Sequence, residues 1–263
     1  MRTSFFLAAF CLISLSAFSI YTKFDLNRDI IYSLSTTIII VIKNNVFTIG
    51  VDGMEGVYKP FKNKEGVFVD SLVNGSVCKI TKNGGYFCTG AGFCPDLGLS
   101  LSRSFLNKSD DFDLIKNDLK DFLSKEFEIL IEHKRIKDKL EYEQFLKKPY
   151  FASLYFCCFQ NGIATVYEFD IGFDPQNKIL INIQVLKDRT GHGTSITAGE
   201  TDAIKSLNNS GSFWNNNTIL DNITELLRIE IKDKPLMVGD PISIIEIRSK
   251  NDYTWFYSGK CNF

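Results

Sequence analysis

The sequence predicts an α+β fold, a four-layer αββα sandwich with two sheets between helical layers. Strand-like and helix-like segments alternate in blocks (strands, two helices, strands, two helices, strands), an order suited to stacked sheets covered by helices. The chain has 263 residues, 44% hydrophobic and 23% charged, so one large domain with a substantial core is within its means.

The first block is a hairpin. Residues 37–42 are a β-branched run, Asn44-Asn45 supplies turn chemistry, and residues 46–51 run back, buried on both faces for much of their length. A two-residue turn there pairs Lys43 with Val46, Thr37 with Asp52 and Thr36 with Gly53. Strict alternation puts the Asp52 side chain on the Thr37 face, so a twist or bulge is needed to bring it round to Thr36. Residues 53–76, with Gly, Pro and Lys, read as an excursion. Residues 77–82 and 86–89 make a second hairpin across Asn83-Gly84-Gly85.

Helices come next. Ser109 is the expected N-cap, with Asp110 and Asp111 favouring the helix dipole. Phe112, Ile115, Leu119, Phe122 and Leu123 recur at helical spacing and should face a core. The charged run 133–148 reads as a second, more solvated helix ended by Pro149, with His133 on its surface. Strands return at 153–159 and 164–169 across Gln160-Asn161-Gly162, and 179–185 fits another. Short helices over 200–207 and 219–229 and strands over 242–247 and 254–257 close the order.

Residues 1–19 read as a signal peptide: Arg2 and the amino terminus are positive, 5–18 is apolar, and Ala17-Phe18-Ser19 offers small residues for cleavage. The apolar stretch is short for a membrane span, which makes an uncleaved anchor the weaker reading. Residues 20–35 then form a propeptide-like leader and 36–263 the domain. The expected product is secreted or periplasmic, with no membrane association after signal removal. Six cysteines follow the signal (Cys78, Cys88, Cys94, Cys157, Cys158 and Cys261), an even set able to form disulfides or remain buried thiols. Sequons begin at Asn74, Asn107, Asn208, Asn216 and Asn222, of consequence only in a glycosylating host. A net charge of -1 and the lack of a basic, aromatic-studded stripe argue against a nucleic-acid partner.

Several chemistries are excluded by what is missing. With His133 and His192 the only histidines, a histidine triad has few candidates, and His192 reads as a loop residue between glycines. There is no HExxH and no paired CxxC, so no metal is expected. Gly90-Ala91-Gly92 and Gly191-His192-Gly193 fall short of a dinucleotide fingerprint, so no cofactor is expected either. A hydrolase built on an N-terminal threonine needs neither histidine nor metal. Its free amine, with a pKa of roughly 7.7–8.0, accepts the hydroxyl proton. A nearby lysine lowers the hydroxyl pKa, an aspartate holds the lysine, and amides at a glycine bend stabilise the oxyanion.

The residues for that chemistry occur in order: Thr36-Thr37-Ile38-Ile39-Ile40-Val41, then Gly50-Val51-Asp52-Gly53, Ser76-Val77-Cys78-Lys79-Ile80, and Thr89-Gly90-Ala91-Gly92 with Asp96 beyond. In this respect the chain resembles proteasome β-subunits, N-terminal-nucleophile hydrolases, and their bacterial peptidase relatives. The likeness is specific from Thr36 to Asp96 and looser afterwards, where Val238-Gly239-Asp240-Pro241-Ile242 resembles the turn before the family's last strands. It implies Thr36 as nucleophile, Asp52 and Lys79 as the assisting pair, Gly92 as the oxyanion amide and Gly90 at the primary specificity pocket. It also implies autoprocessing to expose Thr36.

There are departures. The Asp52–Lys79 interval is longer than the family's, Ala198 stands where a supporting serine is expected, Leu236 stands where a supporting aspartate is expected, and Ser35 replaces the usual glycine before the cut. Two functions follow. One is an exported threonine-type peptidase or amidohydrolase acting on a peptide or small amide substrate, with a homo-oligomer left open. Outside the cytoplasm, where an unfoldase has no ATP, small or already unfolded substrates are expected. The alternative is a catalytically inactive proteasome-like module for binding or assembly.

Overall fold

A computed structural model describes residues 36–62, 68–137, 139–188, 193–199, 201, 204, 218–235, 238–259, 261 and 263. The segments expected to be a signal peptide (1–19) and a leader (20–35), with His192, Leu236 and most of the helix expected over 200–207, lie outside the described residues. Two compact units are distinguished, with residues 58–73 in one and residues 36–57 and 74–263 in the other.

The chain opens with β1 (Thr37–Lys43) and β2 (Val46–Val51), followed by β3 (Met54–Lys62), β4 (Phe68–Ser76), β5 (Thr81–Asn83) and β6 (Tyr86–Gly92). Three helices follow, α1 (Pro95–Leu106), α2 (Phe112–Lys137) and α3 (Lys139–Phe145), and then β7 (Ala152–Gln160), β8 (Ile163–Phe173), β9 (Ile179–Lys187) and β10 (Thr194–Gly199). Helix α4 (Ile219–Asp233) and strands β11 (Ser243–Ile247) and β12 (Tyr253–Tyr257) complete the described elements. The first sheet runs β10-β1-β2-β11-β12 and the second β5-β6-β7-β8-β9, all neighbours antiparallel, while β3 and β4 pair only with each other.

This corrects the expected four-layer αββα sandwich. The described residues form mostly two antiparallel sheets, ten strands in all, with only four helices. The helical blocks also differ from the expectation. Residues 133–148 are not a separate helix: α2 continues to Lys137 and only the short α3 follows. Against β1, α4 is the one helix that is fully described.

Local chemistry explains the elements. Asn44 and Asn45 both take positive φ (52° and 62°), the two-residue hairpin turn that asparagine tolerates. Asn45 also reaches the tip of the β7–β8 hairpin, donating from Nδ2 to the Gly162 carbonyl (2.9 Å) and accepting the Ala164 amide at Oδ1 (2.6 Å). Helix α2 starts later than the sequence suggested. Asp111, not Ser109, stands at its head, its carboxylate accepting the Asp113 amide (3.0 Å), and Gln160 accepts the Phe112 amide (3.2 Å).

One core lies between the sheets, where Ile38, Ile40 and Ile42 of β1 and Phe47, Ile49 and Val51 of β2 meet Phe87, Ala91, Tyr155, Cys157 and Val166. Alternation sends Ile39 and Val41 the other way, onto Ile223, Leu226 and Leu227 of α4. Each such side chain contributes about 1.5–3 kcal/mol by leaving water. Phe112 seats α2 on the second sheet, its ring 4.3 Å from Tyr167 and 5.2 Å from Phe156. Among the described residues no helix is long and apolar enough to cross a membrane.

Cys78 and Cys261 form a disulfide across 183 residues of chain, whereas Cys88, Cys157 and Cys158 are buried thiols. Closing so long a loop restricts the unfolded chain, and losing the bridge should cost about 2–5 kcal/mol. Alkylation of the denatured, unreduced protein should leave Cys78 and Cys261 unmodified until reductant is added. Peptide mapping that finds both alkylated before reduction would contradict the pairing.

Candidate active site

The site is built at the open end of the first hairpin. The turn sets the register, with Lys43 opposite Val46 and Ile38 opposite Val51, so that Asp52 falls opposite Thr37 just beyond the strand. The Asp52 amide donates to the Thr37 carbonyl (3.2 Å), and the Thr37 amide donates to Asp52 Oδ1 (2.8 Å). No bulge within β2 is required, because the carboxylate binds the main chain of the residue that follows Thr36. Gly239 closes the other side: its amide approaches Asp52 Oδ2 (3.4 Å), and its carbonyl accepts the Gly53 amide (3.0 Å).

Lys79 arrives from residues 77–80, which belong to no strand, with the Val77 amide bonded to the Gly53 carbonyl (2.9 Å). Its Nζ sits 3.0 Å from both Asp52 oxygens. The pair is enclosed, with side-chain exposures of 6% for Lys79 and 0% for Asp52. Burial pushes the Asp52 carboxyl above its ordinary value, and the Lys79 charge and the Thr37 and Gly239 amides pull it back. A buried pair of this kind is costly to desolvate, which makes it a weak device for stability and a suitable one for holding an ammonium in place.

Thr36 is 2% exposed and packed against β10. A Cβ built on Gly199, whose φ is +82°, would lie 1.4 Å from the Thr36 carbonyl oxygen. The glycine permits that approach. Gly199→Ala should therefore cost about 3 kcal/mol or more, combining left-handed strain with an overlap between main chains that no rotamer relieves. Urea unfolding decides it: a loss under about 1 kcal/mol would mean that β10 is easily displaced.

Gly92 and Gly90 lie on β6, whose Ala91 packs in the core shared with β1. Gly92 is exposed with φ +92°, and a Cβ there would meet the Phe151 carbonyl at 2.3 Å. At Gly90 a Cβ would meet Pro95 at 2.8 Å and Leu154 at 3.0 Å, so the seating of α1 on β7 accounts for this glycine.

Two features escaped the sequence reading. The helix α1 was hidden because Leu97, Leu99 and Leu101 alternate like a strand; Pro95 in its first turn was the available signal. It brings Asp96 into electrostatic reach of Lys79. Although Asp96 is exposed by area, local desolvation raises its carboxyl, with the Lys79 charge opposing. The second is the disulfide at Cys78, the residue before Lys79. Ala198, facing the core between the sheets, has no hydroxyl to offer Thr36. Among the described residues no group of three or more His, Cys, Asp or Glu is placed to hold a metal.

The fold and site define, over the described residues, a protein of mostly two antiparallel sheets with a buried lysine–aspartate pair at the mouth of its first hairpin. No protein-family model matches the chain, and no curated protein matches it either.

Proposed function

We propose that the chain is an exported threonine-type amidohydrolase or peptidase, as its likeness to proteasome β-subunits in residues 36–96 implies. The observation that supports this best is the Lys79–Asp52 pair bound to the amide of Thr37, one residue from the proposed nucleophile. With the leader gone, the Thr36 amine takes the hydroxyl proton and Oγ attacks the substrate carbonyl. The Lys79 ammonium favours the alkoxide electrostatically, and the Gly92 amide receives the oxyanion, a donor worth about 10²–10³ in rate. Collapse expels the leaving amine, which takes the proton back, and water then hydrolyses the Thr36 ester.

The proposed base predicts a pH profile. The amine must be neutral in the free enzyme, so kcat/KM should rise with pH through about 7.7–8.0. A profile flat from pH 6 to pH 9 would exclude the amine as the base.

A second reading, the inactive binding or assembly module, is favoured by Ala198 and by the 2% exposure of Thr36. Trapping separates the two. The mature protein, quenched in acid during turnover of a peptide amide or activated ester, should carry the acyl group on the peptide that begins with Thr36. Protein shown to begin at Thr36 that neither hydrolyses substrates nor retains an acyl group would be the binding module.

A further inference from the structure

We propose that the Cys78–Cys261 disulfide is a positioning device for Lys79, holding its ammonium on Asp52 so that competence of the site depends on the oxidised bridge. The use made of the lysine rests on the hydrolase reading above; the positioning itself does not.

The segment that carries Lys79 is held at few points by regular structure. Residues 77–80 lie outside any strand. In sequence they stand between β4 and β5, a three-residue edge strand paired with β6. The Val77 amide bond to the Gly53 carbonyl ties the stretch on one side, and Ile80, 1% exposed, anchors it in the core on the other. Between them stands Cys78, bonded to Cys261 beside the last strand of the first sheet. Cys261 is 2% exposed and belongs to the core between the sheets, so it is a fixed post. Cys78 is half-buried, open to a reductant from its own side.

Holding an ammonium 3.0 Å from two carboxylate oxygens needs a backbone that stays in place. Opening the bridge frees the residue next to Lys79 while leaving the ladder of both sheets intact. Dithiothreitol does this in a balanced step: it cyclises to its own disulfide, and its two thiol protons end on Sγ of Cys78 and Cys261.

Reductive methylation, mapped by mass spectrometry, reads the position of Lys79 without reference to activity. It should be compared in the oxidised protein, in the protein freshly reduced with dithiothreitol, and in the Cys78→Ser/Cys261→Ser variant. Lys139, 82% exposed, calibrates reagent access, and Lys134, 1% exposed, reports global unfolding. Loss of the bridge should speed labelling of Lys79 by about ten-fold or more relative to Lys139 while Lys134 stays protected, the signature of a local opening. Lys79 equally protected with and without the bridge would overturn the proposal. So would parallel exposure of Lys79 and Lys134, which would make the bridge a support of the whole fold. If the double variant fails to fold, early time points on reduced native protein give the same comparison. Hydrolysis by oxidised wild type, measured alongside, tests the hydrolase reading separately, since an inactive protein still yields the labelling result.

Discussion

Lys79→Ala should destabilise the protein by about 3–5 kcal/mol at neutral pH, because it takes the Lys79 ammonium away from a buried carboxylate. Asp52 is 0% exposed, and the Thr37 and Gly239 amides also donate to its carboxylate. The pH dependence has a definite sign. Burial already raises the Asp52 carboxyl in the folded protein, and removing the lysine raises it further. A carboxyl whose folded pKa exceeds its unfolded value of about 3.9 binds protons more readily when folded. Stability therefore falls as pH rises from that value through the folded pKa, and the penalty should be small near pH 4 and larger at pH 7. Asp52→Asn placed on Lys79→Ala should recover much of the loss, since an amide oxygen can still accept the Thr37 N–H. Urea unfolding of both variants at the two pH values checks this. A loss independent of pH would mean that Lys79 acts by packing. The same burial means that loss of hydrolysis by Lys79→Ala must be read beside its melting, because the two fall together.

The largest effect on activity is expected at Thr36. Thr36→Ala removes the attacking oxygen, and hydrolysis should drop by about 10⁴-fold or more, as when other nucleophiles are deleted. The same variant should retain the leader, because an N-to-O acyl shift that cuts between Ser35 and Thr36 uses the same hydroxyl. Thr36→Ser keeps an oxygen at that position and should preserve part of both functions. Stability should change little beyond the loss of a buried methyl group, about 1 kcal/mol. An alanine variant that is cut and hydrolyses substrates like wild type would remove Thr36 from the mechanism.

Much of the first hairpin was legible, because β-branched runs flank Asn44-Asn45, a turn with one favoured register. That register alone places Asp52 beside Thr37. What alternation could not show is that the carboxylate turns back to accept the Thr37 amide. The contact between Asp52 and Lys79 came only from the family likeness, since nothing local links residues separated by the β3–β4 excursion. That excursion is itself a hairpin, missed because Gly, Pro and Lys read as loop. Strand β10 was also missed. Its Thr194–Gly199 sequence has weak alternation, and its place beside β1 is a long-range pairing that periodicity does not encode. The boundary between the middle helices was lost for a similar reason: a charged helical run shows no break where one helix simply continues, so residues 133–148 read as a separate helix. The six cysteines carried no pairing information, because the bridge chosen depends on where the C-terminal segment packs.

The central claim is that Thr36 becomes the amino terminus, because only a free amine there can serve as the base. Amino-terminal sequencing with intact mass of the folded wild-type protein tests it most directly. The account predicts a chain that begins Thr36-Thr37-Ile38, with its mass reduced by residues 1–35. A folded protein that still carries residues 20–35 after prolonged incubation would contradict it, since Thr36 would then offer only an amide nitrogen.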